Sequence, residues 1–171
     1  DAGIAYLILG SASPASASLS TAIQWVGTNR SDYAGFSVAG AGDVNRDGYD
    51  DLLVGAISSP YYSPPSGAYL VLGSANPASA SLSTAIQFTA EDQGDYAGTS
   101  VAPAGDVNRD GYDDFLIGAP YNDDSFGAAG AAYLVLGSAS PASASLSTAI
   151  QFTAKAQSDL AGSTVSPAGD V

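Results

Sequence analysis

The sequence contains no cysteine, no histidine and no methionine, and only four basic residues, Arg30, Arg46, Arg109 and Lys155, stand against 17 acidic ones. Without histidine and cysteine there is no Ser-His-Asp or Cys-His nucleophile system, and no ordinary ligation of zinc, haem or iron–sulfur clusters. The net charge of −13 repels polyanions, and so few positive side chains cannot neutralise a run of phosphates. Nucleic acid is therefore excluded as a partner, and anionic membrane surfaces are disfavoured for the same reason. No stretch reaches the roughly 18 consecutive apolar residues that a membrane span requires, and no basic-then-apolar leader opens the chain. The absent cysteines say little about compartment, because disulfides permit export without defining it. What survives these exclusions is oxygen chemistry: carboxylates, amides, hydroxyls and carbonyls, the ligand set of hard cations.

The 171 residues amount to one domain's worth of chain, and 46% of them are hydrophobic, enough for a core. Charged residues make up 12%, against about 25% in typical domains, so solubility rests on Ser, Thr, Asn, Gly and the acidic excess. Opening on Asp1 rather than Met, the chain reads as a processed product or a piece of something longer.

Self-similarity organises the whole sequence. The string GDVNRDGYDD runs from Gly42 to Asp51 and again from Gly105 to Asp114, 63 residues later, and a third copy begins at Gly169, Asp170 and Val171. The segment PASASLSTAIQ is spelled identically from Pro14, Pro77 and Pro141. The unit is thus 63 or 64 residues, and the chain holds about 2.7 of them. Each complete unit offers four short strands. The first precedes the acidic loop (36–41, 99–104, 163–168), the second leaves it as an apolar run (52–56, 115–119), and the third is the Tyr-Leu segment (69–72, with 6–9 and 133–136). Such runs, short and apolar between Gly, Pro and Asp, suit strands buried on both faces. The fourth alternates, with Ile86 and Phe88 on one side and Gln87 and Thr89 on the other, as an outermost strand would. The Ser/Ala/Pro stretch between third and fourth strands reads as a loop.

Four-stranded antiparallel sheets, repeated and stacked face to face, predict an all-β fold of β-propeller blades. The expected division is a partial blade of outer strands over 1–33, complete blades over 34–96 and 97–160, and the start of a further blade over 161–171. Two complete blades do not close a ring. The remaining blades belong either to the parent chain, the favoured reading, or to other copies of this one, and exposed strand edges should make an isolated monomer sticky.

The acidic loops carry the chemistry. Counted from the first aspartate, Asp43, Asn45, Asp47, Gly48, Tyr49 and Asp51 occupy positions 1, 3, 5, 6, 7 and 9, and Asp106, Asn108, Asp110, Gly111, Tyr112 and Asp114 repeat them. A loop that wraps calcium sets side-chain oxygens at alternate residues, turns sharply at a glycine, and offers the carbonyl of position 7. Position 12, where an EF-hand has its bidentate glutamate, holds Val54 and Ile117, so the EF-hand is rejected and the ninth-position aspartate must close the shell. The alternative is that Asn-x-Asp-Gly merely makes a tight turn, but three crowded carboxylates would then repel one another uncompensated. Magnesium is the poorer fit, since it demands near-octahedral rigidity. Two Ca²⁺ sites are expected, with Asp170 the first ligand of a third that this chain does not complete.

These motifs resemble the FG-GAP repeat family, the blades of the integrin α-subunit propeller and of many bacterial surface or secreted proteins. The resemblance covers essentially the whole chain and rests on the DVNRDGYDD loops, on DLLVGA and DFLIGAP with Gly118-Ala119-Pro120, and on GAAYLVLG. At the other signature, Ala34-Gly35, Ala97-Gly98 and Ala161-Gly162 stand where the family has Phe-Gly, and Gly55-Ala56-Ile57 departs from the GAP pattern. The resemblance implies that Asp43, Asn45, Asp47, Asp51 and the Tyr49 carbonyl, with Asp106, Asn108, Asp110, Asp114 and the Tyr112 carbonyl, ligate calcium. It further implies a ring of about seven blades, an extracellular or cell-surface setting, and a non-enzymatic role in adhesion or scaffolding.

Other residues carry weaker signals. Trp25 falls in phase with Phe88 and Phe152, so packing is preferred over sugar stacking. Tyr61 and Tyr62 lie in a Pro-rich loop without counterpart in the other units, where a carbohydrate or protein ligand would sit if the chain is a binding module. Asp123 and Asp124 read as hydrated surface, and Asn29-Arg30-Ser31 fits a glycosylation sequon. Glu91, the one glutamate, aligns with Thr28 and Lys155, so no acid–base pair recurs around it and hydrolase chemistry is disfavoured. A third reading is that near-identical units let chains join into larger rings or filaments.

Overall fold

The computed structural model describes residues 2–58, 66–123 and 128–169. Among them there is no α-helix, and the strands are β1 (Ile4–Leu7), β2 (Ile23–Val26), β3 (Ala34–Gly42), β4 (Asp51–Ala56), β5 (Gly67–Val71), β6 (Ala80–Ser81), β7 (Ile86–Thr89), β8 (Ser100–Gly105), β9 (Asp114–Ala119), β10 (Ala131–Val135), β11 (Ala144–Ser145) and β12 (Ile150–Thr153). They form three open sheets of the propeller-blade type, ordered β1-β2-β6, β11-β7-β5-β4-β3 and β12-β10-β9-β8. In the second sheet β3, β4, β5 and β7 are antiparallel neighbours in the order of the chain, as are β8, β9, β10 and β12 in the third.

Strand pairing explains why the middle sheet must be apolar on both sides. In the β4–β5 register Leu53 faces Leu70 while the next pair, Val54 and Tyr69, points the opposite way. Leu53, Ala68 and Leu70 join Phe115, Ile117 and Tyr133 in one core, and Val54, Ala56 and Tyr69 join Ala5 and Trp25 in another. Trp25 is thus a packing residue. Burying apolar area at roughly 25 cal/mol per Å² is available to these strands only because sheets flank both faces.

Three expectations are corrected. The Ser/Ala/Pro connector is not simply loop: Ala80 and Ser81 pair in parallel with Trp25 and Val26, and Ala144 and Ser145 with Phe88 and Thr89. Each repeat therefore lends a two-residue strap to the outer strand of the repeat before it. Ser79 and Ser143 complete the strap by accepting the N–H groups of Gln24 and Gln87, both at 2.9 Å. A single 3₁₀ turn follows in every copy (Leu19–Thr21, Leu82–Thr84, Leu146–Thr148), capped by the hydroxyl of Ser18, Ser81 or Ser145. The second correction concerns residues 163–168, which form no strand. Their hairpin partner, the apolar run that follows the acidic loop elsewhere, is not among these residues, and a lone strand has no ladder to join. The third strands also begin two residues earlier than expected, at Gly67 and Ala131.

Candidate functional site

Each acidic loop joins the first strand of a sheet to the second, β3 to β4 and β8 to β9, and a register shift at Gly40/Gly42 and Pro103/Gly105 releases the chain into it. Inside the first loop the Asp47 N–H donates to Asp43 Oδ1 at 2.9 Å and to Asn45 Oδ1 at 3.1 Å. One donor thereby draws two oxygens from alternate residues to the same side. Gly48 N–H donates to Asp43 Oδ2 at 2.9 Å, Tyr49 N–H to Asp47 Oδ1 at 3.0 Å, and Asn45 Nδ2 to Asp47 Oδ2 at 2.8 Å. Arg46 (φ 58°) and Gly48 (φ 92°) take left-handed backbone to make the winding possible.

The second loop repeats this bond for bond. Asp110 N–H donates to Asp106 Oδ1 and Asn108 Oδ1, both at 3.0 Å, Gly111 N–H to Asp106 Oδ2 at 2.8 Å, and Tyr112 N–H to Asp110 Oδ1 at 3.0 Å. Arg109 (φ 62°) and Gly111 (φ 91°) match their counterparts.

The ninth-position aspartates behave differently from the rest. Asp51 and Asp114 are fully buried. Asp51 accepts the N–H of Val44 at 2.9 Å and of Gly73 at 2.8 Å, and Asp114 accepts those of Val107 at 2.9 Å and Gly137 at 2.8 Å. Each carboxylate ties the start of its loop to the end of the third strand. Burial raises the Asp51 pKa above the ordinary carboxylate value, the two N–H donors work against that, and the charges of Asp47 and Asp43 add to it.

The donor set is therefore all oxygen, and every carboxylate oxygen that accepts one N–H keeps a further lone pair. Those properties fit a hard cation such as calcium. The structure does not draw the acidic groups into one shell: among the described residues no three of them are gathered closely enough to hold a metal ion. Asp43, Asp47 and Asp51 each accept backbone N–H groups instead. Asp170, Tyr61, Tyr62 and Asp124 lie outside the described residues.

The corner before each first strand is the other shared feature. Gly98 adopts φ 85°, and its carbonyl packs so closely on Gly55 that a methyl group at Gly55 would overlap it, while one at Gly98 would overlap the Gly67 carbonyl. Ser37 Oγ donates to that same Gly98 carbonyl at 2.8 Å, and Ser100 Oγ repeats the bond to Gly162 at 2.8 Å. The corner survives without an aromatic because Ala34 and Ala97 are themselves buried there. Sequence reasoning passed over the acidic residues of this corner. Asp32 is buried and its Oδ2 accepts the N–H of Thr28 at 3.0 Å and of Asn29 at 2.7 Å. Asp95 is buried in the equivalent place, and Asp159 Oδ2 accepts the Ala156 N–H at 3.0 Å. Their signal was the phase, since all three stand two residues ahead of the Ala-Gly signature.

The model of the FG-GAP repeat matches residues 34–69 and 97–135, the two segments that hold these corners and loops. The chain carries FG-GAP repeats. Its sequence is similar to integrin alpha pat-2 of Caenorhabditis elegans, 35% identical over 127 residues that cover 66% of this chain and 10% of the relative. Integrin alpha-IIb of Mus musculus is 38% identical over 108 residues, 58% of this chain and 10% of the relative, and integrin alpha-PS2 of Drosophila melanogaster 37% over 101 residues, 53% and 7%. The chain spans about a tenth or less of the length of these curated relatives. In FG-GAP terms, Gly55 and Gly118 of the GAP signature are the residues that receive the corner glycine of the following repeat.

Proposed function

We propose that this chain is a calcium-binding, non-enzymatic structural or adhesive segment of an extracellular or cell-surface β-propeller protein. The observation that carries the reading is the pair of DxNxDGxxD loops, wound identically at the same place on two FG-GAP sheets of a chain similar to integrin α subunits. Asp43, Asn45, Asp47, Asp51 and the Tyr49 carbonyl hold one ion, and Asp106, Asn108, Asp110, Asp114 and the Tyr112 carbonyl the other. Calcium, when bound, supplies the positive charge that three neighbouring carboxylates lack. The chain supplies the rest: Asp51 and Asp114 anchor loop to sheet, and the left-handed residues set the winding. Dissociation constants of extracellular calcium modules are on the order of 10⁻⁴–10⁻³ M, which suits an exported protein and is of no use in cytosol. The divisions 34–96 and 97–160 act as complete blades, flanked by partial ones over 1–33 and 161–171.

The proposed partner within the propeller is a further FG-GAP repeat, from the parent chain or from another copy. Phe152 is 56% exposed where its counterparts Trp25 and Phe88 are 6% and 5% exposed, and Leu19 is 48% exposed where Leu82 and Leu146 are buried. In the two joints present, the leucine of one repeat lies in the core that holds the aromatic of the repeat before it. Leu19 and Phe152 are the two unmatched halves of such a joint.

Isothermal titration with Ca²⁺ tests the central reading. Two ions should bind, and Asp47→Ala and Asp110→Ala should each remove one; a protein that takes up no Ca²⁺ at millimolar concentration would refute it.

A further inference from the structure

The two loops are not independent copies, because one of them leans on the other. Asp113, at position 8 of the second loop, accepts the backbone N–H of Asp43 through Oδ2 at 2.8 Å, and its own N–H donates to the Asp43 carbonyl at 3.3 Å. Both polar groups of the Asp43 peptide backbone are thus held by a single residue of the neighbouring repeat. Two more contacts join the same pair of repeats at this point. The Ser138 N–H donates to the Val44 carbonyl at 3.1 Å, and the Arg46 guanidinium lies over Gly111. Gly42, one residue before Asp43, takes φ 78° and leaves no room for a side chain beside the Asp113 carboxylate. Val44, beneath this contact, is 0% exposed.

We propose that Asp113 is a positioning residue for the first ion loop, fixing the backbone of its leading ligand Asp43 and so making the affinity of that loop depend on the second. The inference rests on the calcium reading above. Asp113 acts through the Asp43 backbone N–H that its Oδ2 accepts, and is not one of the proposed ligands. It sits between Tyr112 and Asp114, two ligands of the second loop, so that winding of the second loop delivers the Asp113 carboxylate to the first. A carboxylate on a backbone N–H is a charge-assisted bond, stronger than a neutral one, and an oriented Asp43 loses less freedom when its side chain takes a cation.

The experiment uses the whole chain and separates the loops by removing one at a time. In the Asp110→Ala protein, where the first loop alone binds Ca²⁺, adding Asp113→Ala should weaken Ca²⁺ binding by about tenfold, the scale of one lost hydrogen bond to a charged group. Asp113→Asn, which keeps an acceptor oxygen for the Asp43 N–H, should restore most of it. In the Asp47→Ala protein, where the second loop alone binds, Asp113→Ala should leave affinity within about twofold. A metal-free readout accompanies these titrations: hydrogen exchange at the Asp43 amide should quicken in Asp113→Ala and stay protected in Asp113→Asn. Unchanged first-loop affinity and unchanged Asp43 exchange in Asp113→Ala would overturn the coupling while leaving two bound ions intact. Equal losses in both loops would also overturn it, showing a general disturbance. An unsubstituted chain that binds no Ca²⁺ would instead remove the reading on which the inference stands, and the exchange measurement would still report whether Asp113 holds Asp43.

Discussion

Phe88 meets Phe115 edge to face, with ring centroids 5.2 Å apart and planes inclined at 71°. The two rings belong to different sheets: Phe88 is on the outer strand β7 of one repeat, Phe115 on β9 of the next. An edge-to-face pair contributes about 0.5–1.5 kcal/mol beyond its buried area, and Phe115 is fully buried besides. Phe115→Ala should therefore destabilise the chain by roughly 3–5 kcal/mol, read as a lower denaturant midpoint. A loss under about 1 kcal/mol would mean that the two sheets do not share one core in solution.

Removing divalent ions should lower the melting temperature. An ion at 100 times its dissociation constant stabilises the folded chain by about 2.7 kcal/mol per site. Calorimetry in millimolar Ca²⁺ and then in EDTA measures the difference, and Asp47→Ala together with Asp110→Ala should erase it. An EDTA effect that persists in the double variant would place the ions elsewhere.

The corner glycines separate two kinds of backbone constraint. Gly98→Ala forces a side chain into positive φ and against the neighbouring repeat, at a cost of roughly 1–3 kcal/mol. Gly40 lies in β3 with open space around it, so Gly40→Ala should be neutral or stabilising by a few tenths of a kcal/mol, on the order of the entropy it removes from the unfolded chain. Thermal melts of the pair distinguish them, and equal losses would contradict the inter-repeat contact.

Association should follow from the unmatched joint. Sedimentation at rising concentration is expected to show self-association through Leu19 and Phe152, and Phe152→Asp should abolish it. A strict monomer at high concentration in the unsubstituted chain would leave the further repeat to the parent chain alone.

Much of this was legible in the sequence because repetition multiplies every signal. The doubled GDVNRDGYDD string marked both loops, and the apolar runs after them became β4 and β9. The parallel straps were not legible: two residues such as Ala80 and Ser81 show no periodicity, and only the outer strand of another repeat makes them a strand. Residues 163–168 failed for the converse reason, since their spelling matches a strand but pairing needs a partner in space. Asp113 was hidden among six aspartates of like appearance in its stretch of chain (106, 110, 113, 114, 123 and 124). What distinguishes it is the repeat it touches, a property no local reading contains.

The straps carry one more consequence, for how such a protein grows. Because Ala80 and Ser81 finish the strand that ends the previous repeat, and the strap is spelled alike in every copy, a tandem duplication or loss of one genetic unit would recreate each seam with the same backbone pairing. Copy number would then be free to drift between lineages without any compensating substitution, until closure of the ring imposed a limit.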